Sequence, residues 1–151
     1  MSRFVVRRLG LLFGSTAALL VMVSAGVFLL AGASADERVG SCTIVDHPTP
    51  THHTDCRGAK LHGEHLVRAD LRYANLSNAD LIHADLTHAR LSNARLWHTN
   101  LRSARLSHAD LSHAHLFRTN LFGANLTGAR LSGTRFCYTK MPDGEENTSD
   151  C

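Results

Sequence analysis

The chain has 151 residues, enough for one modest domain, with 16 Lys plus Arg against 13 Asp plus Glu. The three surplus cations are Arg3, Arg7 and Arg8, so 13 basic residues face 13 acidic ones from residue 36 onward. That balance excludes a polybasic nucleic-acid binder and an acidic polyanion, and four cysteines leave room for disulfides without making the chain cysteine-dense.

Arg3, Arg7 and Arg8 precede an uncharged stretch from Leu9 to Ala35. Ala33-Ser34-Ala35 supplies small residues where a signal peptidase cuts, and Asp36-Glu37 follows at once. This is the pattern of a signal peptide, so residues 1–35 are set apart from the folded part. The apolar run from Leu9 to Leu30 is 22 residues, long enough to span a bilayer. The segment is therefore either a cleaved signal peptide or an uncleaved anchor with its arginines inside. Both outcomes place the remainder outside the cytoplasm, secreted or in the cell envelope. The membrane is a partner only if residues 9–30 stay attached.

Residues 36–58 read as an N-terminal cap with turn formers at His47-Pro48-Thr49-Pro50. Leucine then recurs at every fifth position from Leu61 to Leu131, and Phe136 takes the sixteenth place. Two residues before each stands a small residue, Ala in twelve units and Thr in three, with Glu64 the misfit. A period of five presents no common face on an α-helix and alternates sides on a straight strand. If the chain turns a corner between units, four corners close a square coil of 20 residues with every Ala and Leu inward. Stacked coils then pair their backbones at about 4.8 Å. Sixteen units make about four coils, a solenoid.

Tandem Ala-(Asp/Asn)-Leu-x-x units, such as Ala84-Asp85-Leu86-Thr87-His88, resemble the pentapeptide-repeat family. The resemblance covers residues 59–138 and implies an all-β fold, a right-handed quadrilateral parallel β-helix. Residues 139–151 form a C-terminal cap. The fold hosts functions without implying one.

Residues 20 apart stack on neighbouring coils. Asp70, Arg90, Asp110 and Arg130 then alternate in charge along one side, which sets inter-coil register rather than a catalytic carboxylate pair. All eleven histidines lie after residue 35. They read as polar filler of solvent-facing slots, with His88, His108 and His113 the one weak candidate group for a transition metal. No phosphate loop or nucleophile elbow occurs, so neither an enzyme nor a cofactor is expected.

Cys42 and Cys56 are 14 apart before the first coil, and Cys137 and Cys151 are 14 apart at its far end. A rod about 20 Å long separates the two pairs beyond disulfide reach. The expected bridges are Cys42–Cys56 and Cys137–Cys151, each closing one end.

The residue after each leucine points outward and is mostly Ser, Thr or Arg. Trp97 and Phe117, 20 apart, break that pattern. Phe122 lies round the next corner, Ile82 shares its side, and Tyr138 continues the first. With Arg102 and Arg118 they have the composition of a protein interface, self-association included, or of a pair that merely cover each other. The function expected is an exported, non-catalytic structural or protein-binding scaffold. Two alternatives stand beside it. The resemblance implies a DNA-mimicking topoisomerase (gyrase) modulator, and the histidines suggest extracellular transition-metal binding.

Overall fold

The computed structural model describes residues 37–39 and 42–151. The targeting segment expected over residues 1–35 lies outside them. Among the described residues no helix is long and apolar enough to cross a membrane.

Regular strands are few: β1 Glu37–Val39, β2 Cys42–Ile44, β3 His115–Phe117, β4 Arg135–Cys137, β5 Thr139–Lys140 and β6 Glu146–Asn147. β1 pairs antiparallel with β2, and β5 with β6, while β3 and β4 are parallel. The rest of the repeat pairs by single parallel bridges, from Asp55↔Asn75 to Asn120↔Lys140. Each bridge joins residues 20 apart, so one coil consumes four units.

The unit explains its own sequence through its backbone donors. In the unit Ala79 to His83, the Ala79 N–H donates to the Leu76 carbonyl at 3.0 Å and closes a turn. Asp80 N–H donates to Ala59 on the preceding coil (2.9 Å), and Leu81 N–H to Asn100 on the next (2.8 Å). His83 N–H donates to Arg102, also on the next coil (3.1 Å). Ile82 N–H is the one donor the coils leave over, and Asp80 Oδ1 accepts it at 3.1 Å. All five donors are thus satisfied, as a close-packed backbone requires. Asn75, Asp85, Asn100, Asp110, Asn120 and Asn125 make the same Asx-type bond. The acid or amide before leucine is therefore first a turn device.

The residue that ends each unit has a left-handed backbone. It is the second central residue of the Leu-x-x-Ala turn, with φ from 50° to 61° at non-glycine corners such as His83, His88, Asn93, His98, His108 and His113. A type II turn demands that conformation, which Gly adopts freely and Asn and His more readily than most. Five histidines therefore sit at corners for backbone reasons, beyond the polar filling expected of them.

The interior is filled as the period requires. Leu61 to Leu121 are none of them more than 3% exposed, and the alanines from Ala74 to Ala114 are as buried. Thr99, Thr119, Thr134 and Thr139 replace alanine without loss. Their hydroxyls donate to the carbonyls of Leu76, Leu96, Leu111 and Leu116 one coil back. Among the described residues no buried side-chain polar atom lacks a partner.

The coil register runs beyond residues 59–138 at both ends. Thr54 and Cys56 occupy the small and large slots at 0% and 2% exposure, and Asp55 pairs with Asn75. Thr139 and Met141 take those slots at the other end, where Pro142 accepts from Gly123 N–H at 2.9 Å. Cys42 and Cys56 are bonded with Cα atoms 5.0 Å apart, and Cys137 and Cys151 with Cα atoms 4.9 Å apart.

Candidate binding face

Because coils stack in register, the residue after each leucine forms four outward columns. One reads Ser77, Trp97, Phe117, Cys137, and the next round the corner reads Ile82, Arg102, Phe122, Pro142. The other two read Thr87, Ser107, Thr127 and Ser92, Ser112, Ser132. Past the first coil, where the latter columns begin with Val67 (45% exposed) and Arg72, two adjacent sides thus carry the large side chains and two carry hydroxyls. Trp97 is 45% exposed, Phe122 40% and Tyr138 49%.

The aromatic residues group differently from the expected stack of Trp97 on Phe117. The ring contacts of Phe117 are His98 at 5.6 Å and Tyr138 at 6.3 Å, both edge-on. The Arg118 guanidinium covers Phe117 at 5.4 Å and Tyr138 at 5.8 Å. Phe122 forms its own group, with Arg102 at 5.9 Å and Lys140 at 5.0 Å from its ring. His98 and Lys140 were not singled out by sequence, although the rule of 20 aligns His98 with Arg118 and Tyr138.

The histidine candidates separate. His88 and His108 rings lie parallel with centroids 5.0 Å apart, while His113 belongs to the next corner, where the space a Cβ on Gly133 would fill is taken by its ring. Among the described residues no three His, Cys, Asp or Glu side chains are grouped to hold a metal ion.

The carboxylates are held charged by local donors. Ser112, through its hydroxyl and N–H, holds Asp110 below the usual carboxylate range. For Asp85 and Asp70, burial pushes upward but is outweighed by Thr87 in one case and Arg72 in the other. Across coils, Arg90 lies 3.6 Å from Asp70, as expected of the ladder, and Arg105 lies 3.5 Å from Asp85.

A family model described as pentapeptide repeats matches in 8 copies, over residues 52–87, 79–116, 99–136 and 114–142. No curated protein sequence matches the chain. Among solved structures, HetL, a pentapeptide repeat protein involved in heterocyst differentiation regulation from the cyanobacterium Nostoc sp. strain PCC 7120, is similar at 36% identity. That match covers 66% of this chain and 46% of HetL, with a TM-score of 0.47. Another pentapeptide repeat protein from Nostoc PCC 7120 is 38% identical over 50% of this chain and 63% of its own, with a TM-score of 0.50. One from the Arabidopsis thaliana thylakoid lumen is 29% identical over 62% of this chain and 68% of its own, with a TM-score of 0.47. The matched region thus spans under half the length of HetL.

Proposed function

The chain belongs to the pentapeptide-repeat family, whose fold is a right-handed β-helix, and from that premise we propose that it is a non-catalytic protein-binding module working outside the cytoplasm. It is a rigid stack of about four coils with a disulfide closing each end. The observation that carries the binding role is the exposure of Trp97, Phe122 and Tyr138 on two adjacent sides, against a core whose leucines are sealed. Exposed aromatics grouped with arginines are the usual anchors of an interface. The partner is another protein or a second copy of this chain.

Export is supported by the composition of residues 1–35 and by two disulfides, which persist in oxidising compartments. A gyrase modulator that imitates DNA needs a phosphate-like field, and surface acids that alternate with arginines supply none. Fractionation of the producing cell with immunodetection tests the compartment. The expected location is the envelope or the medium. Protein retained in the cytoplasm would contradict export and restore the DNA-mimic reading.

A further inference from the structure

One side of the coils differs from the others in charge as well as in shape. Leu116 on β3 points inward, at 1% exposure, so His115 and Phe117 point outward. On β4, Arg135 and Cys137 stand beside them in register. Between the two outward rows lies an open cleft of about 400 Å³. One wall is aromatic, made by Trp97, His98 and Phe117; the other is made by His115 and Arg135. Leu116, Cys137, Asp150 and Cys151 complete the lining.

The row before leucine on this side reads Asn75, Arg95, His115, Arg135, with no carboxylate beyond Asp55. On the other sides acids stand among the bases, and Arg90 and Arg105 have carboxylates in reach. Arg95, Arg118 and Arg135 form no ion pair among the described residues. Asp150, in the same lining, offsets Arg135 in part: its carboxylate accepts from Phe136 N–H at 2.9 Å and from the Ser149 hydroxyl at 3.1 Å, and the Arg135 charge helps to hold it below the usual carboxylate range. One acid, Asp150, therefore stands against three solvent-facing guanidinium groups: Arg135 in the lining, Arg95 beside His115 and Arg118 over Phe117.

We propose that this cleft receives an acidic peptide segment carrying an aromatic or large apolar side chain, presented by the protein partner; the proposal rests on the binding role given above. The apolar side chain packs against Trp97 and Phe117, where ring contacts add to burial. The peptide carboxylates face Arg135 and Arg95, where charge-assisted bonds to guanidinium are strong and directional. Opposite charge across the contact sets which partner is accepted more than how tightly it binds.

Trp97 is the only tryptophan in the chain, so its emission reports the cleft directly. The folded protein is titrated with two capped synthetic peptides, one alternating glutamate with phenylalanine and one alternating lysine with phenylalanine. The expected result is a saturable change with the acidic peptide, on the order of tenfold tighter than with the basic one, weakening as salt is raised. Arg135→Glu, and independently Arg95→Glu, should bring the two peptides to parity or invert them, with an unchanged far-ultraviolet spectrum. Equal responses to both peptides, no response to either, or a preference untouched by both charge reversals would overturn the proposal. The wider binding role fails on a different result: association that survives loss of both Trp97 and Phe117.

Discussion

The imidazole of His108 occupies the space where a Cβ on Gly128 would stand: that atom would fall 2.6 Å from Nδ1. Gly128 also has φ +70°, so it is required both by its backbone and by its neighbour on the preceding coil. Gly58 has φ +64° with nothing within 4 Å of the same point. Gly58→Ala should therefore cost only the left-handed penalty, about 1 kcal/mol. Gly128→Ala should cost about 1–2 kcal/mol more, because the ring must leave its stack on His88. Denaturant titration of both variants checks this. Adding His108→Ala to Gly128→Ala should recover the excess, and equal losses at the two glycines would contradict it.

Thr99 tests the hydroxyl that replaces alanine. Its Oγ1 donates to the Leu76 carbonyl at 2.7 Å in a fully enclosed site. Thr99→Val keeps the volume and removes the donor, so stability should fall by about 1 kcal/mol by chemical denaturation. No loss would mean that the Ala79 N–H, which also reaches this carbonyl, suffices alone.

Acid should loosen the coils through the Asx carboxylates. Asp85 and Asp110 are both held below the usual carboxylate range, Asp85 by Thr87 against the upward push of burial and Asp110 by Ser112. A depressed carboxylate contributes stability that is present above its unfolded pKa and lost as pH falls through its folded one. The melting temperature should therefore drop as pH is lowered below about 4. In the combined variant Asp85→Asn and Asp110→Asn the acceptor oxygen remains, as at Asn75 and Asn100. Its stability near neutral pH should change by less than about 1 kcal/mol, since Arg105 is exposed, while its acid loss should be shallower. An identical acid profile in both proteins would refute the assignment.

Zinc should not find a tight site at His88, His108 and His113. Shared coordination needs each nitrogen about 2.0–2.1 Å from the metal. Parallel rings 5.0 Å apart do not converge on one point without unstacking. Calorimetric titration is expected to give weak, non-stoichiometric heats. A stoichiometric submicromolar site lost in His108→Ala would contradict this.

The leucine and alanine slots were legible because a five-residue period has only one way to bury both residues. What the period hid was the work of the other three positions. Asp70 and Asp110 read as rungs of a charge ladder because acids and arginines alternate there, whereas the first bond of Asp110 is to the N–H two residues on, and inter-coil ion pairs occur at Asp70–Arg90 and Asp85–Arg105. The histidines read as polar filler of solvent-facing slots. The glycines and asparagines sharing their slot, such as Gly58, Asn78, Asn93 and Gly128, already pointed to a left-handed backbone instead. Thr54 and Cys56 escaped notice as a repeat unit because a disulfide cysteine stands in the leucine slot. On the exposed side, the rule of 20 aligned Trp97 with Phe117, but rotamers at the corner place His98, Arg118 and Tyr138 around Phe117 instead.

The binding role is tested most directly by the double variant Trp97→Ser and Phe117→Ser, compared with the parent protein in two measurements on the same preparation. One is association, by sedimentation velocity of the purified protein and by pull-down from envelope extract of the producing cell. The other is melting temperature. The account predicts that association is lost while the melting temperature changes little, since Trp97 is nearly half exposed and the leucine core is untouched. Association unchanged with a lowered melting temperature would contradict it, leaving these rings as cover for the coil edge alone.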